Sequence, residues 1–162
     1  MPTLPQLIEE DIQYLDEVLR SLLDKSDATT ALIIDQGGFL ITSQGDARNF
    51  DLTTIAALAS GAYLANQTIA NLVHETSFNS VYQQGEAFSM FVQSVDANCM
   101  LVVIFNSAVS VGLVKYYSTP ACEQIAGQLQ VAQERDPEGG LDLSVLNIAD
   151  TRELFKRRGG PQ

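Results

Sequence analysis

The sequence has 162 residues, a length that allows one domain of ordinary size with a proper core and is too short for two. Hydrophobic residues make up 46% of the chain and charged residues 18%, which indicates a globular protein and argues against intrinsic disorder. Twenty Asp and Glu residues against nine Lys and Arg give a formal net charge of −11, which repels phosphate backbones and anionic lipids, so neither nucleic acid nor a membrane is expected as a partner.

The first predicted element is an amphipathic helix over residues 4–24, where apolar residues recur at spacings of three and four. Residues 25–27 end this helix. Its opposite face is acidic, and we expect that face to be an ordinary solvated surface and not a dedicated binding patch. The acidic residues on it are Glu9, Glu10, Asp11, Asp16 and Glu17.

A β-hairpin is predicted next. Residues 30–35 and 39–43 are short β-prone runs, and the glycines of Gln36-Gly37-Gly38 between them supply the positive φ that a tight turn needs. Paired glycines also occur in loops that bind phosphate. This segment lacks the spacing of the common phosphate-binding motifs and leads from strand to strand, so we interpret it as a turn.

Residues 52–74 contain no Asp, Glu, Lys or Arg and predict a second helix with Asp51 as its N-cap. Helical spacing assigns to the core face Leu52, Ile55, Leu58, Ala59, Ala62, Ala65, Ile69, Leu72 and Val73. The other face holds Ala56, Ala57, Ser60, Gly61, Leu64, Thr68 and Asn71. A helix without charge on any side is normally covered all round, either within one monomer or by another molecule, and we favour an oligomer or partner interface.

Three further strands are predicted over residues 79–85, 87–95 and 99–106. The last is apolar on both faces, which is typical of a central strand covered by helices on both sides. For residues 110–118, local propensity favours a strand, whereas apolar residues four apart favour one long helix that ends near Glu134. That apolar stripe consists of Leu113, Tyr117, Ala121, Ile125 and Leu129. The spacing leaves the choice open, with Pro120 as the start of a shorter helix or a kink in the long one.

The C-terminal region differs in composition from the rest. Residues 135–140 break the structure, residues 141–148 are expected to be extended, and a short amphipathic helix begins at Asp150. Four of the nine Lys and Arg residues lie within residues 152–158, so residues 1–151 hold five cations and nineteen anions. We therefore divide the chain into a folded domain over residues 1–134 and a linker with a short basic tail over residues 135–162.

The sequence offers little for catalysis. Its single imidazole, His74, ends the uncharged helix, where the helix dipole favours a structural role, and the common catalytic motifs are missing. Cys99 and Cys122 lie in apolar patterns without metal-ligand spacing, as expected for buried thiols in a reducing cytoplasm. The uncharged runs carry too many polar residues to span a membrane, and we expect no signal peptide. The prediction is a cytoplasmic protein without catalytic residues, metal or cofactor.

The order helix, hairpin, long helix, three strands, helix resembles the roadblock (dynein light chain) domain family over residues 5–134. The motifs that carry the resemblance are residues 31–38 (ALIIDQGG), 51–62 (DLTTIAALASGA), 84–85 (QG), 101–105 (LVVIF) and 112–115 (GLVK). Within the family, the chain resembles the bacterial MglB-type GTPase-regulating proteins, including a tail with the pair Leu154-Phe155. The resemblance implies an α/β (α+β), roadblock/profilin-like three-layer sandwich. Its five-stranded antiparallel sheet has the order 2-1-5-4-3, with the 52–74 helix on one face and the terminal helices, including one long helix over residues 110–134, on the other.

The resemblance also implies a homodimer, in which the 52–74 helices pair and the third strands extend one sheet across two subunits. MglB-type proteins act on a Ras-like GTPase of the MglA type in cell polarity or motility. They stimulate hydrolysis by rearranging the catalytic machinery of the GTPase itself without an arginine finger, and their tail modulates nucleotide exchange. Candidate dimer or partner contacts are Ala57, Gly61, Leu64, Ala65 and Thr68. Candidate secondary partner contacts in the tail are Arg152, Leu154, Phe155, Lys156, Arg157 and Arg158.

Two alternatives stay open. The same dimer surface would also suit a non-catalytic scaffold or adaptor subunit that assembles a complex without altering nucleotide turnover. The tail cations would equally suit a generic solubilising terminus.

Overall fold

A computed structural model describes residues 4–135 of the chain. The predictions for the tail, including those for its six candidate contact residues, lie outside the described residues. The described part contains three helices and five strands: α1 (Glu9–Ser26), β1 (Thr30–Asp35), β2 (Leu40–Gly45), α2 (Leu52–Leu72), β3 (Ser80–Gln83), β4 (Phe88–Ser94), β5 (Cys99–Asn106) and α3 (Val111–Arg135).

The five strands form one antiparallel sheet in the order β2-β1-β5-β4-β3, with β5 in the centre. Every residue of β5 from Cys99 to Phe105 is buried, which confirms the prediction of a central strand covered on both sides. Leu101, Val103 and Phe105 belong to one core cluster, and Met100, Val102 and Ile104 belong to another. The alternation of side chains along a strand therefore gives the sheet a separate core on each face.

The two cores are covered differently. Side chains of α1 and α3 fill one of them, and α2 alone covers the other. This arrangement confirms the predicted α+β sandwich, the strand order and the distribution of helices over the two faces. It also settles the choice between strand and helix for residues 110–118, which are helical from Val111 as part of α3.

Pro120 lies inside α3, so it neither starts a helix nor ends one. The Tyr116 carbonyl, one turn earlier, lacks the N–H donor that a residue other than proline would provide. Both Pro120 and Tyr116 are exposed, and the missing hydrogen bond therefore falls on the solvent side of the helix. The apolar stripe of this helix was predicted to include Leu113 and Tyr117. The buried residues in this part of α3 are instead Val114 and Ser118.

The prediction that α1 begins at residue 4 is wrong, because the helix begins at Glu9. Ile8 is its N-cap, with an extended backbone (φ −102°, ψ 173°), and its N–H donates to the Asp11 carboxylate at 2.8 Å. Three acidic residues then occupy the first turn, where the helix dipole favours negative charge. The apolar Leu4 and Leu7 contribute to the core from an extended segment before the helix, which explains why apolar spacing alone placed the start too early.

The prediction of a wholly solvated acidic face on α1 is also wrong, because the Asp11 side chain is fully buried. Its carboxylate accepts two hydrogen bonds from the Arg135 guanidinium, at 2.8 and 3.0 Å, and a third from Gln128 Nε2 at 2.6 Å. The Arg135 hydrogen bonds lower the pKa of Asp11 most, to about 2. Arg135, at the end of α3, is thus joined to the first turn of α1, and the two helices run in opposite directions.

Replacing the buried carboxylate tests this link. We expect Asp11→Asn to lower the free energy of unfolding by about 1–3 kcal/mol at pH 7, because Arg135 loses a charged, bidentate partner. The ordinary pKa of 3.8 falls to about 2 on folding, so the stabilisation is complete above about pH 4 and is lost as the pH falls toward 2. Urea unfolding at pH 7 and at pH 2 should show a difference between variant and wild type only at pH 7.

Asp46→Asn is the matched control. Asp46 also pairs with an arginine at 2.8 Å, but the Asp46 and Arg48 side chains are 47% and 86% exposed. Solvent screens such a pair, so we expect a much smaller change. Equal losses for the two variants would contradict the account.

Candidate functional site

The helix α2 begins as predicted. The Asp51 carboxylate accepts a hydrogen bond from the backbone N–H of Thr54 at 3.2 Å and another from its hydroxyl at 2.7 Å. The helix ends at Leu72, and His74 follows in the left-handed region with φ 63°. Asp51 thus fixes the start of the uncharged helix. The side of α2 that faces the sheet then decides which of its residues are available to a partner.

Small and hydrogen-bonded residues hold α2 against the sheet. Ser60 Oγ donates to the Gln36 carbonyl at 2.5 Å, and Tyr63 Oη donates to the Phe78 carbonyl at 3.2 Å. A Cβ on Gly38, whose φ is +91°, would come within 3.0 Å of the Ala57 Cα, so the turn between β1 and β2 approaches the helix backbone closely. The helix therefore lies close to the sheet, and its buried side consists of Ala56, Ala59, Ser60, Tyr63 and Ala70.

This orientation corrects the assignment of faces in the sequence. Ala56 and Ser60, predicted on the outward face, are buried against the sheet. The predicted core residues that are exposed instead are Leu58, Ala62, Ala65, Ile69, Leu72 and Val73. Apolar spacing assigned the larger aliphatic side chains to the core. In the structure, small residues such as Ala56 and Ala59 allow α2 to pack closely on the sheet. Ser60 can be buried with them because its hydroxyl donates to a carbonyl.

The five predicted contact residues all lie on the exposed side of α2. We define the α2 outer face as Ala57, Leu58, Gly61, Leu64, Ala65, Thr68, Ile69 and Leu72, all of them exposed. Leu58 is 69% exposed and Leu72 is 74% exposed, and the helix carries no Asp, Glu, Lys or Arg. A contiguous exposed apolar surface of this kind is typical of a protein–protein interface. Apolar spacing misassigned Leu58, Ile69 and Leu72 as core.

The outer face adjoins an open edge of the sheet. β3 pairs with β4 on one side and lies at the end of the sheet, with Tyr82 41% exposed. Between α2 and β3, a crevice lined in part by Ala62, Val81 and Gln83 has a volume of about 10 Å³. This is room for about one water molecule and far below the size of a small-molecule site. The surface around α2 and β3 thus suits a macromolecule better than a small ligand.

In the described part of the chain, the cysteine and histidine side chains do not come together in a site. Cys99 and Cys122 are buried, and burial raises the pKa of the Cys99 thiol well above its ordinary value and that of Cys122 to about 12. His74 is exposed beyond the end of α2. Within residues 4–135, no three His, Cys, Asp or Glu side chains are grouped so that they could hold a metal ion.

The burial of the thiols predicts low reactivity. At pH 8, a thiol-disulfide exchange reagent should label the native protein at least about 100-fold more slowly than a free thiol, because little thiolate forms and the sulfurs are covered. In denaturant, both thiols of each chain should react. Rapid labelling of one thiol in the native protein would reveal an accessible nucleophile and contradict this description of the core.

In the described part of the chain, none of the helices combines the length and apolarity needed to cross a membrane. A search of curated protein sequences finds no match. A family model for the Roadblock/LC7 domain matches residues 14–105.

Three solved structures are similar over most of their length. An MglB with a tetrameric arrangement is 27% identical, with 82% of this chain and 99% of that chain covered and a TM-score of 0.76. The gliding protein MglB of Thermus thermophilus is 27% identical, with 80% and 98% covered and a TM-score of 0.74. MglB of Myxococcus xanthus is 28% identical, with 78% and 96% covered and a TM-score of 0.73.

Proposed function

Because the chain belongs to the Roadblock/LC7 family, we propose that it is a homodimeric regulator of a small Ras-like GTPase of the MglA type. It stimulates GTP hydrolysis by reorganising the active site of the GTPase and has no active site of its own. The α2 outer face is the observation that carries the proposal, since it is a wide uncharged surface on an acidic chain. Similarity to a gliding protein supports a role in motility. We place this role in the cytoplasm, in the control of cell polarity or motility.

The dimer forms through α2. Ala57, Gly61 and Ala65 recur every four residues along the exposed side of the helix, with Leu64 and Thr68 beside them. Small residues at this spacing let two helix backbones approach closely, and a two-fold axis brings the same patch of both copies together. An MglB with a tetrameric arrangement supports self-association among similar proteins.

The open edge of β3 adds a second contact in this dimer. An edge strand has unpaired backbone N–H and C=O groups on its outer side, and these groups pair readily with another strand. Because β3 lies beside α2, the two-fold axis that pairs the helices also brings the β3 strands of the two copies near each other. The sheets of the two subunits then continue into each other.

Stimulation of hydrolysis works through the conformation of the GTPase. A protein that binds the competent GTPase conformation more tightly than the idle one raises the competent population. The helix α2 carries no arginine, and the nearest arginine before it, Arg48, makes two hydrogen bonds to the Asp46 carboxylate, at 3.0 and 2.8 Å. The absence of arginine from α2 supports activation without an arginine finger. We assign to the basic tail, with Arg152, Leu154, Phe155, Lys156 and Arg157, a secondary contact that modulates nucleotide exchange.

A charge placed on the outer face tests the dimer. We expect Gly61→Arg to give a monomer in multi-angle light scattering, with the 17.6 kDa mass of one chain, because pairing would bury two unpaired guanidinium groups. The matched control is Gly127→Arg in α3, since an added Cβ meets no atom within 4 Å at either glycine. The control should keep twice the monomer mass. A dimer in both variants would place the interface elsewhere.

The activity is tested with GTP and a purified MglA-type GTPase. The wild-type protein should accelerate phosphate release, and Gly61→Arg should lose at least about 10-fold of that stimulation if the dimer is the active form. Arg48→Ala should stay within about two-fold of wild type, since removal of an arginine finger would cost roughly 1,000-fold.

Two other outcomes of these experiments would contradict the proposed activation of a GTPase. A stable complex on gel filtration without faster hydrolysis would contradict the proposal and support a scaffold subunit. The absence of both a complex and stimulation would exclude the GTPase as a partner.

A further inference from the structure

The large apolar residues on the exposed side of α2 belong to a regular stripe. Six residues follow one another at alternating spacings of three and four, which is the pattern by which one helix packs along another. Five of them are exposed and one is half-buried, so the stripe is open to a partner. We define this stripe as the α2 seam, and it consists of Ile55, Leu58, Ala62, Ala65, Ile69 and Leu72.

The α2 seam has the same pattern in either direction. Its spacings are three, four, three, four and three, and its side chains are large, large, small, small, large and large. When two such helices lie antiparallel, with the centre between Ala62 and Ala65, every seam position of one copy faces a seam position of the other. Small side chains meet at the centre, and large ones such as Leu58 and Ile69 meet toward both ends. Gly61 adjoins the centre, where it allows the two backbones to come close.

The open edge of β3 selects the antiparallel arrangement. Ala62 lines the crevice between α2 and β3 together with Val81 and Gln83, so the seam runs on the side of α2 nearer to that edge. A two-fold axis along the strands would continue the sheet but would place the two α2 helices on opposite faces of it. An axis perpendicular to the sheet keeps both helices on one face, and it makes both the helices and the β3 strands antiparallel.

An apolar pocket lies at the N-terminal end of the seam. It has a volume of about 350 Å³, and Phe50, Ile55 and Phe88 are among the residues that line it. Phe88 is 45% exposed, and its ring packs edge-on against that of Phe50 with the centroids 5.3 Å apart. In the antiparallel register, Leu72 of the second copy lies opposite Ile55. The pocket can therefore cover a leucine that is 74% exposed in the single chain.

We propose that α2 pairs antiparallel with α2 of a second copy, centred between Ala62 and Ala65, and that Leu72 of each copy fills the pocket of the other. This inference rests on the proposed homodimer and specifies its register. Each copy thus completes an apolar pocket of its partner, which a monomer leaves open to water.

Disulfide formation tests the register. We expect Leu58→Cys/Ile69→Cys to form covalent dimers on mild oxidation, visible on a non-reducing denaturing gel, because the two positions face each other across the pair. Each single variant should remain as single chains, because like positions are offset by about 16 Å along the helices at 1.5 Å per residue. The native cysteines are buried and should not contribute.

The matched control is Ala57→Cys/Thr68→Cys. These two positions are also exposed and have the same separation along the helix. They lie about a third of a turn from the seam, at the flank of the pair, and should be too far from each other across the dimer for a disulfide.

Truncation of the leucine tests the pocket. We expect Leu72→Ala to raise the dissociation constant of the dimer at least about 10-fold in analytical ultracentrifugation, because the side chain loses its cover. Leu64→Ala removes the same atoms at the flank, from a side chain that is 51% exposed, and should stay within about three-fold of wild type. Phe88→Ala should act like Leu72→Ala, and the two together should cost little more than either one, because they remove one contact.

Three results would overturn the register. Efficient cross-linking of a single variant would mean that like positions meet, as they do between parallel helices. Cross-linking of the control pair alone would place the other side of α2 in the interface. Fully additive effects of Leu72→Ala and Phe88→Ala would mean that the leucine does not fill the pocket.

Light scattering separates these failures from failure of the dimer itself. A wild-type protein with twice the mass of one chain keeps the proposed dimer even if the register is wrong. A monomeric wild-type protein would overturn the dimer and the register together. Circular dichroism of each variant checks that the domain is folded.

Discussion

The burial of β5 on both faces is the constraint from which the rest of the structure follows. Seven consecutive residues of this strand, Cys99 to Phe105, are buried, so the sheet needs a cover on each side. Two helices provide one cover, and their pairing is secured at one end by the buried Asp11 carboxylate and Arg135. One helix provides the other cover, and it is held close to the sheet by small side chains.

The sheet is covered by two helices on one face and by one helix on the other, and this difference explains where a partner protein can bind. A single helix that presents small residues to the sheet must turn its larger apolar residues outward, as Leu58 and Leu72 do. Because α2 has no charged residue, nothing on its outer face opposes contact with a second apolar surface. On the other side of the sheet, α1 and α3 share the cover, and their apolar residues pack into the core between them and the sheet.

Much of this could be predicted from the sequence, because the informative signals are local. Strand alternation, the Gly37-Gly38 turn and the Asp51 cap depend on neighbouring residues, and the strand order came from the family resemblance. The start of α1, the buried Asp11 and the inward side of α2 depend on distant contacts. Asp11 and Arg135 are 124 residues apart, and Ser60 faces the sheet because a carbonyl 24 residues earlier accepts its hydrogen bond. Periodicity of hydrophobic residues carries no information on such pairs.

The central claim is that two copies of the chain meet through the α2 outer face, and thiol cross-linking tests it most directly. The native cysteines are buried, so Gly61→Cys would introduce the one accessible thiol among the described residues. A short bismaleimide should then join two copies of this variant efficiently at low protein concentration, and it should leave Gly127→Cys as single chains on a denaturing gel. Equal cross-linking of the two variants, or efficient cross-linking of Gly127→Cys alone, would contradict the account.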